Sequence, residues 1–155
     1  FPDWRIINAQ VLVVGEVRQT PEEIDLLQRH HVRMLAEQQQ WAAAKAKGAV
    51  AFAETGRAYV RFALSNPNLF RLIFIHTPGR LRPEVDSPEG SPARLLRNYM
   101  AGSLGPRATQ EQIFVAALRA WSLVHGLSML ILDEQVDRKV AEAMIDQVIG
   151  RDQIG

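Results

Sequence analysis

At 155 residues the chain is long enough for one domain with a real core and too short for two. Eighteen basic residues against seventeen acidic ones leave a formal charge of +1, so composition offers no clustered basic surplus for nucleic acid. The absence of cysteine excludes disulfides, thiolate zinc sites, iron–sulfur clusters and a thiol nucleophile, and fits a reducing cytoplasm. No basic stretch followed by an apolar core and cleavage site marks a signal peptide. Starting at phenylalanine, the chain reads as a fragment.

In chain order, Asp3 is a fair N-cap, and Trp4, Ile7, Val11 and Val14 recur at helical spacing through to Gly15. Thr20-Pro21-Glu22-Glu23 predicts a second start, with threonine as N-cap, proline at the first position and Glu23 closing a capping box. Ile24, Leu27, His31, Met34 and Leu35 supply its apolar stripe, and Gln38-Gln39-Gln40 reads as a helix end or exposed turn. From Trp41 to Leu64 the sequence is alanine-rich and helical, with Gly48 and Gly56 read as close-packing points. Ser65-Asn66-Pro67 ends that helix, because the residue before proline is pushed out of the helical region. Asn66 is expected to cap a short helix from Pro67 to Ile75.

Thr77 to Ser91, rich in proline and glycine, reads as the one long loop. Ser91-Pro92 opens a helix through Leu104, and Gly105-Pro106 breaks it. Thr109 to Gln112 is a capping box for the helix that organises the rest, with Arg119 the one charged side chain between Gln112 and Asp133. Apolar residues line that helix on nearly every side, so it must be covered on most of them. Its unbroken run from Ala120 to Leu132 is short for a membrane span. The simplest cover is the chain's own bundle on one face and a second copy on the other. A last amphipathic helix runs from about Val136 to Ile149. The fold expected is all-α, a single domain of six or seven helices.

Chemistry is sparse. His30 and His31 are adjacent, about 100° apart on a helix, and cannot easily share a metal. No Glu-x-x-His, His-Glu-x-x-His, phosphate-loop or Gly-x-Ser-x-Gly motif occurs, so no metal, cofactor or catalytic residue is assigned and the chain does not read as an enzyme.

Three segments together resemble the tetracycline-repressor-like (TetR) family of bacterial transcription regulators, in its subgroup with a Trp-His-Gly signature. They are Gly56 to Phe74, Trp121 to Leu127, which holds Trp121, His125 and Gly126, and Phe1-Pro2-Asp3-Trp4 at the junction. Trp4 stands where the junction pattern has a basic residue. The resemblance implies an all-α effector-binding and dimerisation domain over residues 4–150, residues 1–3 being a remnant of the junction and 151–155 a tail. A DNA-reading helix-turn-helix is expected ahead of Phe1. It implies a cytoplasmic homodimer, not bound to membrane, acting on DNA through that absent unit. The last two helices, about 109–133 and 136–149, would form a four-helix bundle with their mates. The expected interface is Ile113, Ala117, Ala120, Val124, Leu127, Ile131, Val140 and Met144. A small, largely apolar effector of unknown identity would alter DNA affinity by preferring one arrangement of the dimer.

The candidate pocket lining is Phe52, Thr55, Tyr59, Phe62, Phe70, Phe74, Met100, Trp121, His125 and Met129. Plainer roles stand beside these. His125 reads first as a core histidine held by a backbone carbonyl, Trp121 as core filler and Gly126 as a point of close helix contact. Tyr59 is the better ligand contact, since a buried hydroxyl needs a partner. A helical-bundle enzyme would need a convergent acid–base pair, and a pure dimerisation scaffold would have a filled interior.

Overall fold

The computed structural model describes residues 13–14, 17–18, 20–74 and 87–150. Among these the fold is all-α, six helices in all, with one two-residue antiparallel pairing before them. Val13 lies opposite Arg18 and Val14 opposite Val17, so the helix expected to run to Gly15 does not include Val14. Val11-Leu12-Val13-Val14 is rich in β-branched residues and is followed by glycine, and both features disfavour a helix. The rest of that expected helix, the junction and the tail lie outside the described residues, as does most of the long loop.

Helix α1 spans Pro21–Ala43 and starts as its sequence dictates. Thr20 N–H donates to Glu23 Oε2 at 2.7 Å and Glu23 N–H donates to Thr20 Oγ1 at 3.2 Å. The helix does not end at Gln38-Gln39-Gln40: Gln39 falls on the stripe with Gln28, His31 and Leu35 and is buried. The break comes instead at Ala44 to Lys47, inside the stretch expected to be one helix. Lys47 is extended, and Gly48 sits at φ +58, where a side chain would be strained. A break-point, not close packing, explains Gly48.

Helix α2 (Gly48–Ser65) lies along α1 and supplies the most deeply buried part of the core, including Val60, Phe62 and Ala63. Gly56 does pack closely, as expected: a Cβ there would come 2.9 Å from Ile149 Cγ2 and 3.3 Å from Val124 Cγ1. Asn66 ends α2 and does not cap the next helix through its side chain. Its Nδ2 and its backbone N–H both donate to the Phe62 carbonyl, at 3.2 and 2.9 Å. Helix α3 (Pro67–Phe74) packs on α1 and α2. Helix α4 (Pro92–Leu104) starts where Ser91 Oγ accepts the Arg94 N–H at 3.1 Å, and it lies against α1, α2 and the next helix.

Helix α5 (Gln110–Leu132) opens on the expected box: Thr109 N–H donates to Gln112 Oε1 and Gln112 N–H to Thr109 Oγ1. Helix α6 (Arg138–Val148) follows after a turn, its first turn capped by Asp137, and joins the core through Ala141 and Ile145, with Ile149 just beyond its end. Two ion pairs fasten these helices to the others. Arg71 of α3 pairs with Asp133 at the end of α5, and Arg57 of α2 pairs with Asp146 of α6.

The faces of α5 are not disposed as expected. Ile113, Ala117 and Ile131, assigned to a subunit interface, are buried within the chain itself. Val124 packs toward Gly56 and Leu127 onto the core, and Ala120 lines the cavity described below. Val115, Leu118 and Leu130 of α5 are exposed, the first two also lining that cavity, and Val140 and Met144 of α6 are exposed as well. Both stripes of α5 are apolar, so periodicity alone could not tell inner from outer. At 23 residues α5 is also long and apolar enough, by length and composition, to cross a membrane. Length therefore does not exclude a span. In this chain α5 packs a stripe of Ile113, Ala117, Ser128 and Ile131 into its own bundle.

Candidate ligand cavity

Helices α1 to α5 leave between them a cavity of about 2080 Å³ that is open to solvent. Its buried wall is apolar and aromatic because each helix turns one stripe inward. Leu35 comes from α1, Phe52 and Tyr59 from α2, Phe74 from α3, Met100 from α4 and Trp121 from α5. The charged residues of the lining, among them Arg29, Arg33, Glu89, Arg107, Glu111 and Arg119, are all exposed, so charge is confined to the rim.

Six of the ten residues expected to line a pocket do so: Phe52, Thr55, Tyr59, Phe74, Met100 and Trp121. Phe62 and Phe70 are instead sealed in the packed core, 1% and 0% exposed. Met129 packs on that same core. His125 stands one layer behind the wall, where its ring meets Phe74 edge-on at 4.7 Å and Phe70 at 5.5 Å.

The polar chemistry of the wall is a chain of three side chains. Trp121 Nε1–H donates to Tyr59 Oη at 2.9 Å, and Tyr59 Oη lies 2.9 Å from His125 Nδ1. Since the indole can only donate, the phenol is free to give its own proton to His125 Nδ1, which places the imidazole proton on Nε2. Burial pushes the Tyr59 phenol well above its ordinary range, partly offset by the Trp121 donor. Burial also lowers His125 below its usual value, favouring the neutral ring that can accept from tyrosine. His125 is thus satisfied by a hydroxyl and not by a backbone carbonyl, and the Tyr59 hydroxyl already has two partners. Thr55 Oγ1 is likewise occupied, donating to the Phe52 carbonyl at 2.6 Å.

Sequence reading missed Gln39. It lines the cavity, is buried, and donates from Nε2 to the Thr55 carbonyl at 3.2 Å, while its Oε1 has no partner among the described residues. Its position four residues after Leu35, on the stripe of His31 and Leu35, was the available signal. The two neighbouring glutamines masked it. Leu35, Leu96 and Ile73 also belong to the wall and went unassigned. Among the described residues no group of three or more acidic, histidine or cysteine side chains is placed to hold a metal. His31 Nδ1 lies 2.6 Å from the Leu27 carbonyl of its own helix.

Comparison with known proteins bears on this arrangement. The fold is similar to that of a Rhodococcus sp. RHA1 protein of unknown function, with a TM-score of 0.62. The likeness covers 95% of this chain and 82% of that one at 20% identity, which speaks for the fold alone. No curated protein matches the chain. The tetracyclin repressor-like C-terminal domain family matches residues 52–151, which run from the second helix through the two that end the bundle. The chain belongs to that family.

Proposed function

We propose that the chain is the effector-binding and dimerisation domain of a cytoplasmic transcription regulator, acting as a repressor whose DNA-reading unit is a separate helix-turn-helix. The observation that carries this reading is the cavity walled by Phe52, Tyr59, Phe74, Met100 and Trp121. A solid interior would favour a scaffold, and this one leaves room for a small apolar molecule. Its walls belong to five helices, so a ligand that prefers one packing of them shifts the whole bundle toward that packing. Family membership supplies the rest: a regulator domain responds to something, and this interior is where a response could begin.

Thermal denaturation in the presence of small apolar aromatic compounds tests the proposal. A compound that binds only the folded chain raises Tm by mass action, by an amount that grows with its concentration. Leu96→Trp, which fills part of the space from the half-buried wall of α4, should suppress that rise. If no apolar compound raises Tm, the interior is not a ligand site and the scaffold reading takes its place.

A further inference from the structure

We infer that Gln39 is the hydrogen-bond acceptor of the cavity, and that its ligand is a neutral, largely apolar small molecule carrying one hydroxyl or N–H donor; this deepens, and rests on, the ligand-binding reading above. Of the buried side-chain atoms that lack a partner among the described residues, Gln39 Oε1 alone belongs to a residue of the cavity wall. A buried acceptor without a donor is rare in a folded chain and unfavourable. The Nε2 bond to the Thr55 carbonyl fixes which end of the amide is the oxygen, since a carbonyl can only accept.

The other buried polar groups of the wall make no comparable demand. Trp121 and Tyr59 satisfy one another and His125, and Thr55 is held by its own helix. Gln39 Oε1 is covered as the chain stands; the terminal amide torsion is broad, so the amide can turn its oxygen toward the cavity, giving up the Nε2 bond to the Thr55 carbonyl as it does so. A donor arriving there gives Oε1 its first partner among the described residues. The ligand's remaining surface would lie against aromatic and aliphatic side chains. Its buried end carries no charge, because every charged lining residue is at the exposed rim.

The test uses 1-anilinonaphthalene-8-sulfonate as a fluorescent occupant of the cavity, displaced by 4-butylphenol or by its methyl ether, 4-butylanisole. The two differ in one donor. The phenol should displace the probe about ten-fold more tightly than the ether, the size of one hydrogen bond to a buried acceptor. Gln39→Met should bring that ratio close to one. Should Gln39→Met fail to fold, Gln39→Glu keeps an acceptor oxygen in place and should keep the phenol ahead of the ether. Equal displacement by both compounds in the unaltered chain, or a preference that survives Gln39→Met, overturns the role of Gln39 and leaves the ligand-binding reading standing. Displacement by neither compound overturns both.

Discussion

Tyr59 holds the polar part of the cavity together because one oxygen serves two neighbours on a different helix. It accepts from Trp121 and donates to His125, four residues apart on α5, so the two are stacked on one face. Tyr59→Phe keeps the ring and removes both bonds, leaving an indole N–H and an imidazole nitrogen without partners. Chemical denaturation should show a loss of about 1–3 kcal/mol, the usual range for stranding a buried polar group. His125 gives a second measurement at this scale. Its folded pKa lies below the ordinary 6.5, so below that pH the unfolded chain binds the proton more readily than the folded one. The contribution is therefore complete above pH 6.5 and lost as pH falls beneath it. A plot of stability against pH should fall on the acid side, and the fall should be shallower in His125→Gln. An equal fall in that variant would assign the acid sensitivity to other groups.

Two glycines show how differently the elements use the same residue. Gly56 of α2 faces Ile149 and Val124, and a methyl group added there would meet a branched side chain at 2.9 Å. Alanine normally gains about 1 kcal/mol over glycine inside a helix, but overpacking costs typically about 1–3 kcal/mol. Because Ile149 Cγ2 sits close to its backbone and cannot swing away, the clash should win and Gly56→Ala should lower stability. A methyl group added at Gly126 of α5 would meet nothing within 4 Å, so this glycine does not serve close helix contact within the chain. There the helix preference stands alone, and Gly126→Ala should raise the stability of the single chain by about 1 kcal/mol. Denaturation midpoints of both variants, moving in opposite directions, check this assignment of α5's inner and outer sides.

At the scale of the molecule the outstanding feature is apolar surface left uncovered. Val115, Leu118 and Leu130 on α5, with Val140 and Met144 on α6, are each 41–50% exposed. Exposed apolar side chains of this kind are what an interface between copies needs. The dimer we propose would therefore use these exposed residues and leave Ile113, Ala117 and Ile131 to the core. Sedimentation equilibrium should give a particle of twice the 17.4 kDa chain mass. Leu118→Lys with Leu130→Lys should halve it while the circular dichroism of the helices is kept. A dimer that withstands both substitutions would place the interface elsewhere.

Local chemistry was legible in the sequence wherever a few consecutive residues decide it. The capping boxes at Thr20 and Thr109, the helix start at Ser91-Pro92 and the stop before Pro67 all depend on neighbours within four positions, and each appears as read. The all-α fold and the family likewise follow from helical periodicity and a few motif residues. Tertiary structure decided whatever required knowing which side of a helix meets which neighbour. It buried Ile113 and left Leu118 exposed, though both stripes of α5 are apolar. It sealed Phe62 and Phe70 in the core while leaving Phe52 and Phe74 on the cavity wall. It also carried α1 straight through three glutamines, because burying Gln39 against Thr55 offers that amide a hydrogen bond which no local pattern reveals. A helix's period says that it has an inner face; only packing against the other helices says which residues that face contains.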